Sequence, residues 1–300
     1  MDPTRTANPG EPTIAQRIDA LRATKNQHTD LKVQRDGYFD TDDHGYIPWD
    51  EPVPFAVVPN HPDGGAYGPR AVGHNFRRWL EAHPLYIHPC SSLAGAWIRK
   101  GIPGLGGWRP EDRPTHLAPL QAKYNIYNHG IGAPNHLGPD MAIGLRLGWG
   151  GLLDKIRHYR ALNRPADTGF YDGEEDLVLG VQGWVARHAA LARRLAAEEP
   201  NPTLRENLTA IAEANEHLVL GAPRTFREAC QFIAWFQCVD RMWGLGGALG
   251  QLDELLRPYY EADLAAGRET DASIVWHLAS LFFNDRTTPR SAGRAPMAAT

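Results

Sequence analysis

Cysteine is the residue type with the widest chemistry in this chain of 300 residues, and it occurs as Cys90, Cys230 and Cys238. A cysteine acts as a nucleophile or redox group when a neighbouring base or cation lowers the pKa of its thiol. Cys230 and Cys238 fall in a stretch that would be apolar nearly all the way round a helix, which predicts buried, inert thiols. Cys90 follows a proline, and no base stands beside it in the sequence. The sequence therefore predicts no catalytic cysteine, and the spacing of the three fits neither a disulfide framework nor a zinc site.

Two further segments contain residue types that bind metal ions. Residues 40–51 read D-T-D-D-H-G-Y-I-P-W-D-E, which is close to a calcium-binding loop. His44 replaces an oxygen ligand that calcium prefers, and the prolines that follow cannot start a second helix, so we interpret this segment as a solvated acidic turn. His129, His136 and Asp140 span a loop rich in glycine and proline that gives them no fixed common face. The sequence therefore predicts no metal site there either.

A run of glycines at residues 244–250, G-L-G-G-A-L-G, invites comparison with a phosphate-binding loop. Its spacing is not G-x-G-x-x-G, and it follows a predicted helix where such a loop follows a strand. We interpret the glycines as allowing a tight turn between two helices and close packing of the backbone.

Composition and charge narrow the class of protein. The chain has 31 basic and 35 acidic residues, a formal net charge of -4, and no apolar stretch that approaches the roughly 20 residues needed to span a bilayer. The N-terminus carries charges and prolines where an export signal would be apolar. We therefore expect a cytoplasmic chain with no nucleic-acid partner and no membrane contact.

Helical periodicity dominates the sequence. Residues 55–58, F-A-V-V, predict one short strand, and segments 36–72 and 101–116 are expected to be mostly loop. The helices predicted from the spacing of apolar residues cover 13–33, 74–82, 141–159, 177–195 and 204–218, and a further one begins at Thr225.

Particular residues should shape the helices near the C-terminus. Thr225 and Glu228 have the spacing of a capping box, in which each side chain binds a free backbone N–H of the other residue. Asp253 and Arg257 are four residues apart and can pair on a helix surface. Pro258 is expected to end or kink that helix.

Three ordered motifs carry a resemblance to a known family. Residues 223–231 read P-R-T-F-R-E-A-C-Q, residues 250–260 read G-Q-L-D-E-L-L-R-P-Y-Y, and residues 263–267 read D-L-A-A-G. They resemble the P-x-T-F-x-E-A-x-Q, G-R-x-D-Q-x-x-x-P-[FY]-[YF] and D-L-x-x-G segments of glycyl radical enzymes of the pyruvate formate-lyase type. Residues 136–140, H-L-G-P-D, are similar to that family's G-H-T-x-P-D segment. The resemblance extends over about 13–285.

This resemblance implies a mainly α fold with some β structure. The chain would form the N-terminal helical part and a partial half-barrel of the family's ten-stranded α/β barrel. We divide it into a disordered N-terminus at 1–11, the N-terminal part of a pyruvate formate-lyase-like domain at 12–285, and an aberrant disordered tail at 286–300. The tail lacks any apolar period, so we expect a shifted reading frame or a broken gene there.

The resemblance also implies radical chemistry. Family members bind no cofactor directly; a radical-SAM activating enzyme installs a glycyl radical, which passes to a cysteine that attacks a small organic substrate. The chain would then be part of a formate acetyltransferase or of a related dehydratase or lyase. Residues 242–249 lack the N-G-H-S-x-S stretch of the dehydratases, which argues against a glycerol-type dehydratase. His136 aligns with a family histidine that faces the substrate in some dehydratases, and is the substrate-pocket candidate; its alternative role is that of a loop histidine bonded to backbone.

The residues that the family uses for its radical are missing from this sequence. There is no R-V-x-G-[YFH] segment, because Gly293, the nearest match, lacks the flanking aromatic residue. We therefore expect no catalytic residue in these 300 residues and no activity of this chain alone. The alternative is a non-catalytic helical remnant that binds a metabolite or a partner protein. The oligomeric state stays open, with a homodimer as one option.

Overall fold

The computed structural model of the chain describes residues 11–36, 53–96, 102, 109–112, 114–125, 139–244 and 249–283. Within these ranges the chain is mostly helical, and two short 3-10 turns, Pro110–Asp112 and Thr115–Leu117, precede the third helix. The α-helices of the described part are α1 (Ile14–Asp36), α2 (Gly68–Ala82), α3 (Ala118–Tyr124), α4 (Met141–Asn163), α5 (Gly169–Glu198), α6 (Pro202–Leu218), α7 (Phe226–Gly244), α8 (Leu252–Ala265) and α9 (Asp271–Phe282). Of these helices, none is long and apolar enough to cross a membrane.

The core is built around α5 and α7. Helix α5 packs along α2, α4 and α6, while α7 contacts α4, α6, α8 and α9. Most of the α7 side chains between residues 226 and 239 are buried, as its all-round apolar pattern predicts. Trp184 on α5 and Trp235 on α7 lie edge to face in the centre, with 4.9 Å between their ring centroids.

Two glycines let α2 and α5 approach closely. A Cβ atom on Gly73 of α2 would collide with the backbone of Gly173, and one on Gly173 would collide with the backbone of Pro69. Because neither collision partner is a flexible side chain, the packing of the two helices requires glycine at both positions.

Helix α4 is interrupted where it meets the end of α6. Asp140 caps α4 by accepting a hydrogen bond from the backbone N–H of Ile143. Gly148 has a φ of 65°, in the left-handed region, and a Cβ there would collide with the backbone of Gly221. The backbone N–H of Gly150 then donates to the carbonyl of Leu220 at 2.9 Å, which joins α4 to the turn after α6.

The strand predicted at 55–58 is absent. The segment has no regular secondary structure and pairs with a side chain: Val58 donates its N–H to Asn75 Oδ1 at 2.8 Å and accepts from Asn75 Nδ2 at 3.0 Å. An isolated antiparallel bridge joins Ile87 to Ala94, and no described residue belongs to a ladder of strands. The mainly α prediction is confirmed, whereas the half-barrel finds no strand among the described residues.

The predicted helices are confirmed, but α5 starts eight residues and α2 six residues earlier than the sequence predicted, and α4 ends four residues later. The capping box is only half right: Thr225 Oγ1 accepts from the Glu228 N–H, but the Glu228 carboxylate accepts from the backbone N–H of Arg224 at 2.7 Å. The side chain of Arg224 reaches the same carboxylate, which explains the shift by one residue.

Helix α8 departs from the sequence prediction in two places. It continues through Pro258 and does not end there. Arg257 pairs with Glu254, three residues before it, and not with Asp253. Both spacings lie on one helix face, so sequence alone could not choose between the two acidic partners.

Candidate functional site

A non-helical segment, residues 84–96, runs through the core between α5 and α7 and is held by their side chains. Tyr86 donates its backbone N–H to Nε2 of His188 on α5 at 3.1 Å. Ala94 donates its N–H to Oε1 of Gln231 on α7 at 2.7 Å and accepts from Gln231 Nε2 at 3.0 Å. These bonds satisfy backbone groups that no helix or strand ladder pairs, so two helices fix the path of a non-helical segment that folds back on itself.

His188 can fill this role because it is neutral. Its Nδ1 donates to the backbone carbonyl of Trp184 at 2.9 Å, which leaves Nε2 unprotonated and able to accept from Tyr86. Complete burial lowers the pKa of His188 to about 3, so the ring carries no charge near neutral pH. The ring also packs against Trp184 and Trp235.

The amide of Asn215 on α6 links Trp235 to Gln231 by hydrogen bonds. Trp235 Nε1 donates to Asn215 Oδ1 at 2.7 Å, and Asn215 Nδ2 donates to Gln231 Oε1 at 3.3 Å. Gly95 has a φ of 92°, and a Cβ at that position would meet the Trp235 ring at 2.8 Å. The polar atoms of three buried side chains are therefore satisfied by one another, and the backbone at Gly95 touches an aromatic ring.

The turn at 88–92 is fixed from the other side by α6 and α7. Asn207 Nδ2 donates to the carbonyls of Ser91 at 2.7 Å and Pro89 at 3.2 Å. Arg227 Nε donates to the carbonyl of Ser92 at 2.9 Å, and its Nη2 donates to Asn207 Oδ1 at 2.8 Å. Burial lowers the pKa of Arg227 to about 10, which still leaves the guanidinium charged at neutral pH.

A buried carboxylate links two of the sequence motifs. Asp263, which is 0% exposed, accepts from the backbone N–H of Phe226, the first residue of α7, at 2.7 Å. It also accepts from Arg268 Nε at 2.8 Å. Gly267, with a φ of 64°, turns the chain after α8 so that Arg268 can fold back onto Asp263. The D-L-A-A-G motif thus caps the start of α7 through space.

The cysteines of the described structure are not in reactive surroundings. Burial raises the pKa of the Cys230 thiol, and Cys238 donates its S–H to the carbonyl of Ala96. Cys90, half-buried in the turn at 88–92, also has its thiol pKa raised by burial, which outweighs the opposite effect of Arg17. The predicted burial of Cys230 and Cys238 is confirmed.

Other predicted site residues fall where the structure gives no description. His136 and His129 lie outside the described residues, as do the acidic segment 40–51 and the glycines at 246–247. In the described ranges, no cluster of three or more histidine, cysteine or acidic residues could hold a metal ion. The candidate site is therefore a positioning site, made of uncharged or paired groups that fix residues 84–96.

The sequence of this chain matches a known protein family. The sequence model of the family described as pyruvate formate lyase-like matches residues 120–295, which include all of α4 to α9. The chain belongs to this family. In this pyruvate formate lyase-like chain, the motif residues Gln231 and Asp263 join helices α7 and α8 to each other and to the segment 84–96.

Curated relatives of this family member are much longer proteins. It is 37% identical over 92 residues to an isethionate sulfite-lyase of Desulfovibrio desulfuricans, a segment that is 30% of this chain and 11% of that protein. It is 28% identical over 148 residues to a (2S)-3-sulfopropanediol dehydratase of Klebsiella oxytoca, which is 47% of this chain and 18% of that protein.

Solved structures of glycyl radical enzymes share the fold. A glycyl radical enzyme from Archaeoglobus fulgidus superposes with a TM-score of 0.62 and 18% identity, over 91% of this chain and 40% of that one. The B12-independent glycerol dehydratase of Clostridium butyricum gives a TM-score of 0.61 and 14% identity, over 96% and 42%. The pyruvate formate lyase-like chain thus spans about two fifths of the length of these structures.

Proposed function

We propose that this chain supplies the helical wall of a glycyl radical lyase that breaks a carbon–sulfur or carbon–oxygen bond in a small organic substrate. The observation that carries the proposal is the family match over residues 120–295, together with relatives named as a sulfite-lyase and as dehydratases. A formate acetyltransferase is the second candidate activity, and neither the sulfite-lyase nor the dehydratases bear that name. We further propose a cytoplasmic location, and the homodimer stays an option for the assembly.

Within this helical wall, the role of the positioning site is to fix the path of residues 84–96. Residues 84–96 form a non-helical segment, and His188 and Gln231 bind its backbone at Tyr86 and Ala94. We propose that this segment leads into the partial half-barrel expected from the sequence. Its rigid anchoring would then fix where the barrel wall begins relative to α5 and α7. His136 is retained as the candidate that faces the substrate.

The radical itself must come from residues other than those in the core described above. A thiyl radical requires a cysteine beside the substrate, whereas Cys230 and Cys238 are fully buried among the side chains of α7. No R-V-x-G-[YFH] segment occurs in the 300 residues. We therefore propose that these residues alone do not turn over substrate, and that activity needs a radical-SAM activating enzyme together with the missing radical residues.

Electron paramagnetic resonance tests the inactivity. The purified chain is incubated without oxygen with an activating enzyme of the family, S-adenosylmethionine and a one-electron reductant. A full-length glycyl radical enzyme with its own activating enzyme is the positive control. We expect a glycyl doublet in the control and none from this chain. A doublet from the chain would refute the proposed inactivity.

Product analysis tests the type of reaction. Extracts of cells that express the native locus with its flanking DNA are supplied, without oxygen, with hydroxyalkyl sulfonates, small diols, or pyruvate and coenzyme A. The proposal expects release of sulfite or of an aldehyde, lost when the locus is deleted. Acetyl-coenzyme A formation that depends on the locus, without either of the other products, would favour the acetyltransferase instead.

A further inference from the structure

Arg17 is a buried arginine that lies outside the positioning site. Arg17 lies in the first turns of α1, which packs against α9, and only 2% of its surface is exposed. Its guanidinium carbon lies 4.3 Å from the ring centroid of Trp276 on α9. Stacking covers one face of the guanidinium and leaves the N–H groups along its edge to find other partners.

Two of the three guanidinium nitrogens have no hydrogen-bond partner in the described structure. Neither Nε nor Nη1 of Arg17 makes a hydrogen bond, although both atoms are shielded from solvent. Burial lowers the pKa of Arg17, and the charges that oppose this effect are those of Cys90 and of the exposed Glu206. A buried cation without a hydrogen-bonded anion is a strongly unfavourable arrangement.

Arg227 provides a comparison on the same tryptophan. Its guanidinium carbon lies 5.8 Å from the Trp276 ring centroid, and its N–H groups donate to Ser92 and Asn207. Two guanidinium groups therefore approach one indole ring, and only Arg227 is satisfied by the protein. The lack of partners at Arg17 is thus specific to that side chain and is not general to the region.

The turn at 88–92 lies close to Arg17. Trp276 Nε1 donates to the backbone carbonyl of Cys90 at 2.9 Å, which holds the turn at the edge of the same ring. Cys90 is half-buried, and its thiol is near enough to Arg17 for the guanidinium to oppose part of the rise in the thiol pKa. Because burial raises the pKa of the Cys90 thiol, the thiol is neutral near pH 7 and does not balance the charge of Arg17.

We propose that Arg17 anchors an oxyanion-binding site between α1, the turn at 88–92 and α9, which takes the carboxylate or phosphate group of a small ligand. A guanidinium that is stacked on an aromatic ring and has unpaired edge N–H groups is suited to planar or tetrahedral oxyanions. The half-buried Cys90 lies beside it. The proposal does not depend on radical chemistry.

Thermal unfolding of the full 300-residue chain is the first test. Inorganic phosphate and acetate are titrated separately against sodium chloride at matched ionic strength. We expect one of the two oxyanions to raise the melting temperature in a saturable way that chloride does not reproduce. Arg17→Met should abolish this response, while Arg22→Met, on the same helix but exposed and paired with Asp19, should retain it.

Alkylation of Cys90 gives a second, independent measurement. Because Cys230 and Cys238 are buried, a thiol reagent should modify only Cys90 in the folded chain. Bound oxyanion should slow this alkylation roughly threefold or more, because it cancels the positive field that favours the Cys90 thiolate. The anion should have no effect in Arg17→Met.

Both measurements must agree for the proposal to stand. It is overturned if neither phosphate nor acetate gives a saturable shift in the wild-type chain, or if Arg17→Met responds as the wild type does. Should circular dichroism show that Arg17→Met is unfolded, the wild-type alkylation rate decides: a rate insensitive to both oxyanions removes the site. Loss of the proposed radical-lyase function would leave all of these outcomes unchanged.

Discussion

The carboxylate of Asp263 should contribute more to the free energy of unfolding than Arg268, the arginine that pairs with it. Replacing Asp263 by alanine removes the acceptor of the Phe226 N–H, which starts the buried helix α7. A hydrogen bond to a charged group contributes about 1.5–3 kcal/mol. The pair with Arg268, whose side chain is 51% exposed, adds at most about 1 kcal/mol. We expect Asp263→Ala to lower the free energy of unfolding by about 2–4 kcal/mol.

The control variant is Arg268→Met, which keeps the aliphatic stem and removes the charge. Asp263 would then retain the Phe226 N–H and would still lie at the positive end of the α7 dipole. We expect a loss of about 1 kcal/mol or less for Arg268→Met. Asp263→Asn, which keeps a neutral acceptor, should fall between the two.

Urea unfolding followed by tryptophan fluorescence measures all three variants, since Trp184 and Trp235 are buried beside α7. The slope of the unfolding free energy against urea should stay constant across the series. If Arg268→Met costs as much as Asp263→Ala, the ion pair and not the helix cap is the source of the stability. A loss below about 1 kcal/mol for Asp263→Ala would equally refute the reasoning.

Two further predictions concern His188 and the helix crossing. Burial lowers the pKa of His188 from 6.5 to about 3. Between these two pH values the unfolded chain binds a proton at His188 and the folded chain does not. The contribution of neutral His188 to the free energy of unfolding is therefore complete above pH 6.5 and is lost as the pH falls towards 3. We expect the free energy of unfolding, measured with urea, to fall between pH 7 and pH 5 by about 2 kcal/mol less in His188→Gln than in the wild type. An equal fall in the two proteins would contradict the assignment. Gly73→Ala should destabilise by about 1–3 kcal/mol, because the new Cβ meets the Gly173 backbone. Gly183→Ala on the exposed face of α5, where no atom lies within 4 Å, should stabilise slightly, and similar melting temperatures for the two variants would contradict the close approach.

Helix positions could be predicted from the sequence because each long helix carries its own local signals. For α5, apolar spacing predicts the middle of the helix and the proline after it predicts the end, since both act within one element, whereas the helix begins eight residues before the predicted start. Pro258 shows the limit of a local rule: proline is expected to end or kink a helix, and α8 does not end at it. The start of α2 was missed because no apolar period marks Gly68 and Pro69, although proline at the first helical turn is a known start signal.

The positioning site could not be predicted, because its bonds join residues that are far apart in the chain. Gln231 and Asp263 were recognised as letters of a family motif, but nothing local shows that one binds Ala94 and the other the start of α7. One signal was available: a glutamine within a helix that is otherwise apolar must find a polar partner. His188 gave the same signal on α5. His136, the residue singled out from the sequence, stays a prediction because it lies outside the described residues.

The anchoring of the turn at 88–92 has a consequence for N-linked sugars. Asn207-Leu208-Thr209 fits the acceptor pattern for glycosylation in secreted proteins. In the folded chain, however, the Asn207 amide nitrogen is fully buried and donates to the carbonyls of Pro89 and Ser91. A glycan would replace one of those two hydrogens and could not fit beside α6. If this chain were sent through a secretory pathway for expression, modification before folding would therefore prevent the turn from forming, and an Asn207→Asp change would not restore the lost donor.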